Sequence, residues 1–458
     1  MLVAMVTLRR EPRWDPAVIE EARARGLSVT TPAPQDIASG FPESPAHDFG
    51  KFIERVPGAV LRPRDQGELD ACVATLVGRG VPFKVRGGGH CSGGQTLIDD
   101  GAILDLRDLD AVVEDRPREG EIVVEAGATW LRVCEHLRDA SRAPSNLTMN
   151  WRTTVAGSLL TGGFGDASHR EGPQVNMVRA MEILTLDGTR HRVTPGHPLF
   201  DYTLAGRGQL GIVTQLTLAT APRVWSIVAR SYSWSSFADY LEDLPIFTRE
   251  LGCDVVRTRI SWTRGRILGA AGYVADDIAA APPDHGFRAR AGKAQVIDLF
   301  AAGGEGPNEH WVPACPAIEL ILPYAPEEPA TTAALLEELR RRFVAAGLAT
   351  YTPIGSAIMS LPPASIAPHA PLAPLLSVPS HVVVLRPEVP LGKVPEYLPA
   401  LEEIGRWCYD QGGKLYLVGI ETPGLVDLER QFGPALGNLR RLKQRWDPAG
   451  LLNPGLLD

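Results

Sequence analysis

Residues 83–94 read Phe-Lys-Val-Arg-Gly-Gly-Gly-His-Cys-Ser-Gly-Gly, a short partly apolar run that leads into a loop with five glycines and one histidine. Glycine adopts left-handed backbone angles without a Cβ clash, so such a loop lets backbone N–H groups converge on an anion and approach it closely. His90 would stand at the edge of whatever the loop binds. A glycine-rich stretch alone is a weak motif, and it is equally typical of a flexible surface loop.

The composition is that of an ordinary globular protein. The chain has 458 residues, of which 44% are hydrophobic and 22% are charged, and this length predicts two or three domains. A net charge of −8 argues against non-specific nucleic-acid binding and against a basic membrane-binding surface. No apolar run approaches the length of a membrane span, and the first residues lack a secretory pattern.

The six cysteines are scattered, without a CxxC pair. This spacing predicts neither a zinc site nor a dense disulfide framework, and we expect no bound metal. Reduced thiols together with the absent secretory pattern favour a cytoplasmic protein. The abundance of Ala, Arg, Gly and Pro is typical of a GC-rich bacterial genome.

Hydrophobic patterns in the first half of the chain predict a mixed α+β fold. Asp65 is placed to cap a helix whose apolar residues recur at spacings of three and four, and a second helix is predicted over 129–138. Asp187-Gly188 is a hairpin turn signal. The predicted strands in this half are 59–61, 81–85, 102–106, 122–126, 181–186 and 212–218.

The pattern of residue types along the sequence changes near residue 221. Strands are predicted at 317–322 and 381–385, and helices at 331–346, 395–411 and 439–446. We expect 276–312 to be loop-rich. The segment 352–380 is rich in Pro, Ser and Ala, which predicts a long covering loop.

Three further motifs make the glycine loop more specific. Thr154-Val-Ala-Gly157 opens a second glycine cluster, a third occupies 206–214, and the tail ends in Trp446-Asp-Pro and Asn453-Pro-Gly. In this order the motifs resemble those of the FAD-linked oxidases of the vanillyl-alcohol-oxidase superfamily, which share a PCMH-type FAD-binding fold. The resemblance is greatest to the cytokinin dehydrogenase and berberine-bridge-enzyme-like branches.

The resemblance implies an α+β fold in three parts. Residues 1–220 would form the FAD-binding domain with two α+β subdomains. Residues 221–430 would form a substrate-binding domain with an antiparallel sheet covered by helices, and 431–458 would return to the FAD domain. It also implies FAD joined covalently through His90. Arg152 stands where some relatives carry a cysteine with a second flavin link, so one covalent link is expected.

The same resemblance implies a set of cofactor-binding residues. The alternative for these residues is that they form tight turns needed only for packing. The first loop contributes Arg86, Gly87, Gly88, Gly89, His90, Cys91, Gly94 and Gln95. The later segments contribute Thr154, Gly157, Gly162, Gly163, Gly165, Asn176, Gly211, Ile212, Val213 and Asn453.

The substrate side departs from the family pattern. The aspartate that takes a proton from the substrate in the cytokinin branch corresponds here to Met149. Ala317 and Glu319 replace a pocket tryptophan and asparagine. Glu319 is either an edge-strand charge facing water, or a relocated general base or amine-binding acid in the pocket. Tyr416 matches a pocket tyrosine, which would donate a hydrogen bond, act as a base or only form a wall.

His169 and Glu171 are weaker catalytic candidates.

The leading hypothesis is an FAD-dependent oxidoreductase that removes hydride from a C–H next to N or O of a small organic molecule, with O₂ or an unknown compound as the electron acceptor. A role in secondary metabolism fits the altered pocket. One alternative is a non-redox flavoprotein that templates a cyclisation, and another is a sugar-alcohol or aldonolactone oxidase.

Overall fold

A computed structural model of the chain describes residues 15–38, 41–148, 150–303, 313–352 and 356–457. Three β-sheets and thirteen α-helices occupy this part of the chain, so the expected mixed α+β class is confirmed. Among these residues, no helix combines the length and the apolar character needed to cross a bilayer. The six cysteines are all free thiols.

The first sheet has four strands in the order β1-β2-β4-β3, and β4 is parallel to both β2 and β3. Its strands are β1 (Val29–Thr30), β2 (Ala59–Leu61), β3 (Phe83–Arg86) and β4 (Ala102–Asp105). The second sheet is antiparallel, in the order β5-β6-β10-β8-β9 with β7 also pairing β10. Its strands are β5 (Val112–Arg116), β6 (Glu121–Glu125), β7 (Arg142–Pro144), β8 (Val178–Leu184), β9 (Arg190–Val193) and β10 (Ile212–Pro222).

The third sheet has eight strands, all antiparallel, in the order β14-β11-β13-β12-β16-β17-β15-β18. Its strands are β11 (Ser226–Trp234), β12 (Val255–Ser261), β13 (Arg266–Val274), β14 (Arg290–Asp298), β15 (Ile318–Pro323), β16 (Ser356–Leu361), β17 (Ser380–Leu385) and β18 (Lys414–Leu415).

The helices lie between and against these sheets. In chain order they are α1 (Ala17–Ala24), α2 (Pro34–Ala38), α3 (Gln66–Gly78), α4 (Trp130–Arg138), α5 (Val155–Leu160), α6 (Ser168–Glu171), α7 (Pro198–Asp201), α8 (Phe237–Pro245), α9 (Leu299–Gly303), α10 (Pro329–Ala345), α11 (Val394–Asp410), α12 (Leu428–Phe432) and α13 (Ala435–Trp446). One face of the third sheet is covered by α8 and α11. The ring centroids of Tyr240 in α8 and His381 in β17 are 6.5 Å apart, and Gly405 of α11 packs closely on Ile318 of β15.

Local chemistry explains several boundaries. The Asp65 side chain accepts a hydrogen bond from the Glu68 N–H and thereby caps α3, as predicted. Thr129 caps α4 in the same way. The turn at Asp187-Gly188 joins β8 to β9, which pair antiparallel, so the predicted hairpin is confirmed.

Two loop predictions are wrong. The segment 276–312 contains β14, which pairs with β11 at the edge of the third sheet. The segment 352–380 contains β16, a strand in the middle of that sheet between β12 and β17. β14 has only Val296 and Ile297 as larger apolar side chains, and β16 has a serine at two of its six positions. Pairing with neighbouring strands therefore contributes to both strands beyond what the local pattern indicates.

Candidate active site

The glycine loop begins at the carboxyl end of β3, in the parallel part of the first sheet. Ligands commonly bind beyond the carboxyl ends of parallel strands. Gly89 and Gly94 have φ of +68° and +75°, a region in which other residues are strained. A Cβ at Gly87 would lie 2.4 Å from Thr154 Oγ1, so the first loop packs directly on the second glycine segment.

A buried aspartate from the N-terminal segment supports this loop. The Asp48 carboxylate is fully buried and accepts hydrogen bonds from the N–H groups of Gly94 at 2.6 Å and Gly50 at 3.0 Å. Burial raises the pKa of Asp48 to about 7, while the two N–H donors and the charge of Arg86 act to lower it. The loop is therefore fixed to a second part of the chain.

Arg86 lies beneath the same loop. Its side chain is 1% exposed and donates one hydrogen bond, from Nη1 to the Pro45 carbonyl at 3.2 Å. Its Nε and Nη2 atoms have no hydrogen-bond partner among the described residues. A Cβ at Gly89 would come within 2.8 Å of Nη2, so the guanidinium is in contact with the backbone of the loop.

The loop forms one wall of a cavity of about 320 Å³. The start of α5 forms a second wall, and the turn that precedes β10 forms a third. The fourth wall is the face of the third sheet that the helices leave uncovered. Its side chains in the cavity are Ala357 and Met359 of β16, Val382 and Val384 of β17, Glu319 of β15, and the residues Arg386 and Tyr416, which follow β17 and β18.

His90 lines this cavity without a polar partner. Both of its ring nitrogens are buried, and neither forms a hydrogen bond of ordinary geometry with a described residue. The ring stacks on Phe49 at 6.1 Å and meets the edge of Phe41 at 5.3 Å. Burial, with the nearby charges of Arg386 and Arg86, lowers the pKa of His90 to about 4. The imidazole is therefore neutral at physiological pH.

Glu319 and Arg386 form an ion pair on the sheet wall. Arg386 donates to Glu319 Oε1 from Nε at 3.1 Å and from Nη2 at 2.5 Å. The Glu319 side chain is only 3% exposed, whereas that of Arg386 is 42% exposed. Because β15 lies between β17 and β18, Glu319 is neither on an edge strand nor turned toward bulk water. That reading of Glu319 is wrong.

Tyr416 stands beside this pair, since its N–H donates to the Glu319 carbonyl at 2.8 Å. Its hydroxyl lies 3.4 Å from Thr161 Oγ1, and its ring meets the edge of Phe164 at 5.1 Å. Burial and the Glu319 charge raise the pKa of Tyr416 above its usual value. A protonated phenol in this position favours hydrogen-bond donation over action as a base.

The far end of the cavity is held by the C-terminal segment. The Asn453 side chain accepts from the Val85 N–H at 2.9 Å and donates to the Gly208 carbonyl at 2.8 Å. It thus joins β3 to the third glycine cluster. Arg207 forms a two-oxygen ion pair with Glu421, and both side chains are largely buried.

Comparison with known proteins agrees with this geometry. A family described as FAD binding domain matches residues 57–194. Residues 57–194 are therefore similar to an FAD-binding domain. Cytokinin dehydrogenase 7 of Oryza sativa subsp. japonica is 30% identical over 237 residues, which cover 47% of this chain and 44% of the relative. Cytokinin dehydrogenase 2 of Arabidopsis thaliana is 28% identical over 229 residues, with 48% and 45% covered.

An uncharacterized oxidoreductase, ORF5 in the fasciation locus of Rhodococcoides fascians, is 29% identical over 198 residues, which cover 43% of this chain and 45% of the relative. The aligned part of the chain thus spans less than half the length of the curated relatives it matches. The predicted resemblance to FAD-linked oxidases near the cytokinin dehydrogenases is confirmed.

The residues present fit FAD on two observations of the site itself. His90 offers two buried nitrogens without partners at the cavity wall. The loop between β3 and β4 approaches its neighbours so closely that a Cβ would clash at Gly87, Gly88 and Gly93. Gly87, Gly88 and Gly89 also line the cavity, so at these positions the loop offers backbone without side chains to a bound dinucleotide.

Most residues predicted to bind the cofactor line the cavity, although their contact with FAD stays a prediction. They are Gly87, Gly88, Gly89, His90, Cys91, Gln95, Thr154, Gly157, Gly163, Gly211, Ile212, Val213 and Asn453. The two predicted catalytic residues, Glu319 and Tyr416, line it as well.

Five predicted cofactor residues lie outside the cavity wall: Arg86, Gly94, Gly162, Gly165 and Asn176. Asn176 donates to the backbone carbonyls of Glu171 at 2.8 Å and Ile366 at 3.1 Å. A Cβ at Gly165 would meet Asn146 Oδ1 at 2.3 Å. The two hydrogen bonds explain the asparagine at position 176, and close packing explains the glycine at position 165.

The weaker catalytic candidates do not line the cavity. His169 Nε2 lies 2.9 Å from the Cys253 carbonyl, and Glu171 pairs with Arg170 at 2.8 Å. Met149, which replaces the family aspartate, lies outside the described residues. Arg152 is exposed on the surface near the second loop.

Sequence reasoning missed Arg386, Phe49 and Asp48. Arg386 directly follows the predicted strand 381–385, so a charged residue at the end of an apolar strand was the available signal. Phe49 and Asp48 belong to a polar, proline-containing segment whose sequence gave no signal of a role in the site. The contacts of Phe49 and Asp48 with the glycine loop are set by tertiary structure alone.

Proposed function

We propose that this protein is an FAD-dependent oxidoreductase that takes hydride from a C–H next to N or O of a small organic molecule. The observation that carries the proposal is the placement of His90. Its unpartnered imidazole opens into the same cavity as Glu319, Arg386 and Tyr416, which come from another sheet. The relatives named as oxidoreductases and dehydrogenases support the same class of reaction.

We propose that the glycine loop holds the cofactor through its backbone N–H groups and that His90 is its single covalent attachment. FAD supplies a two-electron acceptor for hydride when it is bound. A neutral imidazole is a nucleophile, and the lowered pKa of His90 keeps a nitrogen lone pair free for bond formation. Position 152, near the second loop, holds an exposed arginine and not a cysteine. This residue type supports the expectation that no cysteinyl link to the flavin forms.

On the substrate side, Tyr416 would donate a hydrogen bond to the substrate oxygen or nitrogen. Its raised pKa keeps the proton on the hydroxyl oxygen. The burial of Glu319 behind Arg386 supports a positioning role for this carboxylate, because a general base must reach the proton that it removes. Hydrophobic side chains on the neighbouring strands would exclude water from the reacting atoms.

We further propose the three-part organisation predicted from the sequence, with the first boundary adjusted. Strands of the first two sheets would form the two subdomains of the FAD domain, and the third sheet would form the substrate domain. Residue 220 falls inside β10, which ends at Pro222, and residue 430 falls inside α12. A boundary between Pro222 and Ser226 separates the sheets without cutting a strand.

Anaerobic titration tests the proposal against a non-redox role and against a polyol oxidase. The purified yellow protein is mixed under argon with panels of alcohols, amines, natural-product carboxylic acids and polyols. We expect bleaching of the flavin colour by a member of the first three panels and its return on admission of air or an artificial acceptor. A colour that dithionite bleaches but no compound changes would contradict the redox assignment.

A further inference from the structure

Arg386 presents an unshared part of its guanidinium to the cavity. A guanidinium has five N–H donors, and Glu319 Oε1 accepts from two of them. The described residues offer no hydrogen-bond partner to the other three. The Arg386 side chain lines the cavity and is 42% exposed overall, while the side chain of its partner Glu319 is 3% exposed. Both charged groups therefore line the cavity, and the cation is the more exposed of the two.

The surroundings of Arg386 add a second donor and few acceptors. Tyr416 lies beside the ion pair, with its hydroxyl at the cavity wall. Thr161 donates its hydroxyl proton to the Gly157 and Ser158 carbonyls at 3.0 Å, so only its oxygen, at 3.4 Å, is available to accept from the Tyr416 hydroxyl. A substrate oxygen at ordinary hydrogen-bond distance would replace this long contact as the acceptor of the Tyr416 proton. The remaining side chains of this sheet face are aliphatic or Met359. The N–H groups of Arg386 that Glu319 does not use make this part of the wall complementary to an oxygen-rich group.

We propose that the substrate carries a carboxylate, which Arg386 binds with the help of Tyr416. The inference rests on the proposed function, because it assigns the substrate class of the same cavity. An arginine fork matches the two oxygens of a carboxylate, and charge-assisted bonds of this kind are stronger than neutral ones. Glu319 acts as a positioning residue, since its carboxylate fixes the guanidinium from behind.

The competing substrate class is a cationic amine bound by Glu319. Arg386 covers that carboxylate, so an ammonium group would meet a like charge before reaching it. A neutral amide or alcohol would satisfy the donors without using the positive charge. The three classes therefore differ in the expected order of affinity.

Calorimetric titration of the purified yellow protein with three probes of one shape separates these classes. The probes are benzoate, benzamide and benzylamine at pH 7.5. We expect benzoate to bind about tenfold more tightly than benzamide, with benzylamine the weakest. Equal affinities for benzoate and benzamide, tighter binding of benzylamine, or no binding of benzoate would overturn the proposal.

Two variants show whether Arg386 is the cause. Arg386→Gln is expected to bring the benzoate to benzamide ratio to about one, and Arg386→Lys to retain part of it. Arg288→Gln serves as the matched control, because Arg288 is an exposed arginine paired with Glu242 away from the cavity. An unchanged ratio in Arg386→Gln would contradict the assignment. Should Arg386→Gln fail to fold, the Arg386→Lys ratio decides, and a ratio equal to that of the parent protein counts against it.

The readout does not depend on turnover. Heat of binding is measured whether or not hydride transfer occurs, and flavin colour in each preparation is recorded separately. Failure of the redox proposal would leave the benzoate preference intact. Failure of the carboxylate proposal would leave a coloured protein that oxidises a neutral or cationic compound, so the two outcomes are distinguishable.

Discussion

The carboxylate of Asp48 accepts a hydrogen bond from the backbone N–H of Gly94 at 2.6 Å, across 46 positions of sequence. The same residue accepts from the Gly50 N–H, and the neighbouring Phe49 N–H donates to the Gly89 carbonyl at 3.0 Å. A glycine-rich loop is flexible when isolated. In this fold, a buried acid from the N-terminal segment gives the loop one conformation.

Asp48→Asn should change the pH dependence of stability. Burial raises the folded-state pKa of Asp48 to about 7, above its usual value in an unfolded chain. The folded protein then binds more protons than the unfolded chain between about pH 4 and about pH 7, so this residue's contribution is lost as pH rises through that window. Urea unfolding of both proteins should show the parent losing stability relative to Asp48→Asn over that range. A constant difference would refute the raised pKa.

Removing one partner of the Glu319–Arg386 pair should destabilise the fold. Glu319→Gln leaves a partly buried guanidinium without its counter-charge, at a cost of about 2 kcal/mol in the free energy of unfolding. Arg386→Met combined with Glu319→Gln should recover part of that loss. Denaturant unfolding of the four proteins in a double-mutant cycle measures the coupling. Additive effects would show that the two side chains do not interact.

Tyr416→Phe should slow turnover without loss of flavin. Loss of a positioned hydrogen-bond donor lowers kcat by about 10²-fold, on any substrate found by the anaerobic titration. Since the pKa of Tyr416 is raised, the defect should be the same from about pH 6 to about pH 9. Tyr351→Phe, at a tyrosine outside the cavity, is the control. A rate equal to that of the control would leave Tyr416 as a wall residue.

The ion pair between Arg207 and Glu421 should contribute strongly to stability. Their side chains are 6% and 14% exposed, and breaking a buried pair from one side costs about 3 kcal/mol. Glu421→Gln is compared by thermal and urea unfolding with Glu403→Gln, whose side chain is 65% exposed and which should change stability by about 0.5 kcal/mol or less. Equal effects of the two changes would contradict the burial argument.

Elements with a local chemical signature could be predicted from the sequence. The Asp65 cap of α3 and the Asp187-Gly188 hairpin were placed correctly, because each depends on residues within a few positions of one another. The strand β16 was mistaken for part of a loop. Its sequence, Ser-Ala-Ile-Met-Ser-Leu, has two serines and proline-rich flanks, and its pairing partners β12 and β17 are elsewhere in the chain.

The candidate site was likewise predicted only where a local motif marks its residues. Motifs placed the glycine loop and named Glu319 and Tyr416, which do line one cavity. The partner of Glu319 was not predictable, because Arg386 reaches it across 67 positions of sequence through the register of β15 and β17. The inference that Glu319 faced water failed for the same reason. Strand order decides which strand is an edge, and no local pattern encodes it.

We propose that FAD is joined to this chain through His90, and one peptide of the chain tests this most directly. Trypsin should release residues 87–107 as one peptide, since no Lys or Arg lies between Arg86 and Arg107. Mass spectrometry of that peptide measures the claim directly. We expect a mass increased by that of the flavin, with fragment ions that place it on His90, and an unmodified peptide from His90→Ala. An unmodified peptide from a yellow parent protein, with all colour released on acid precipitation, would contradict it.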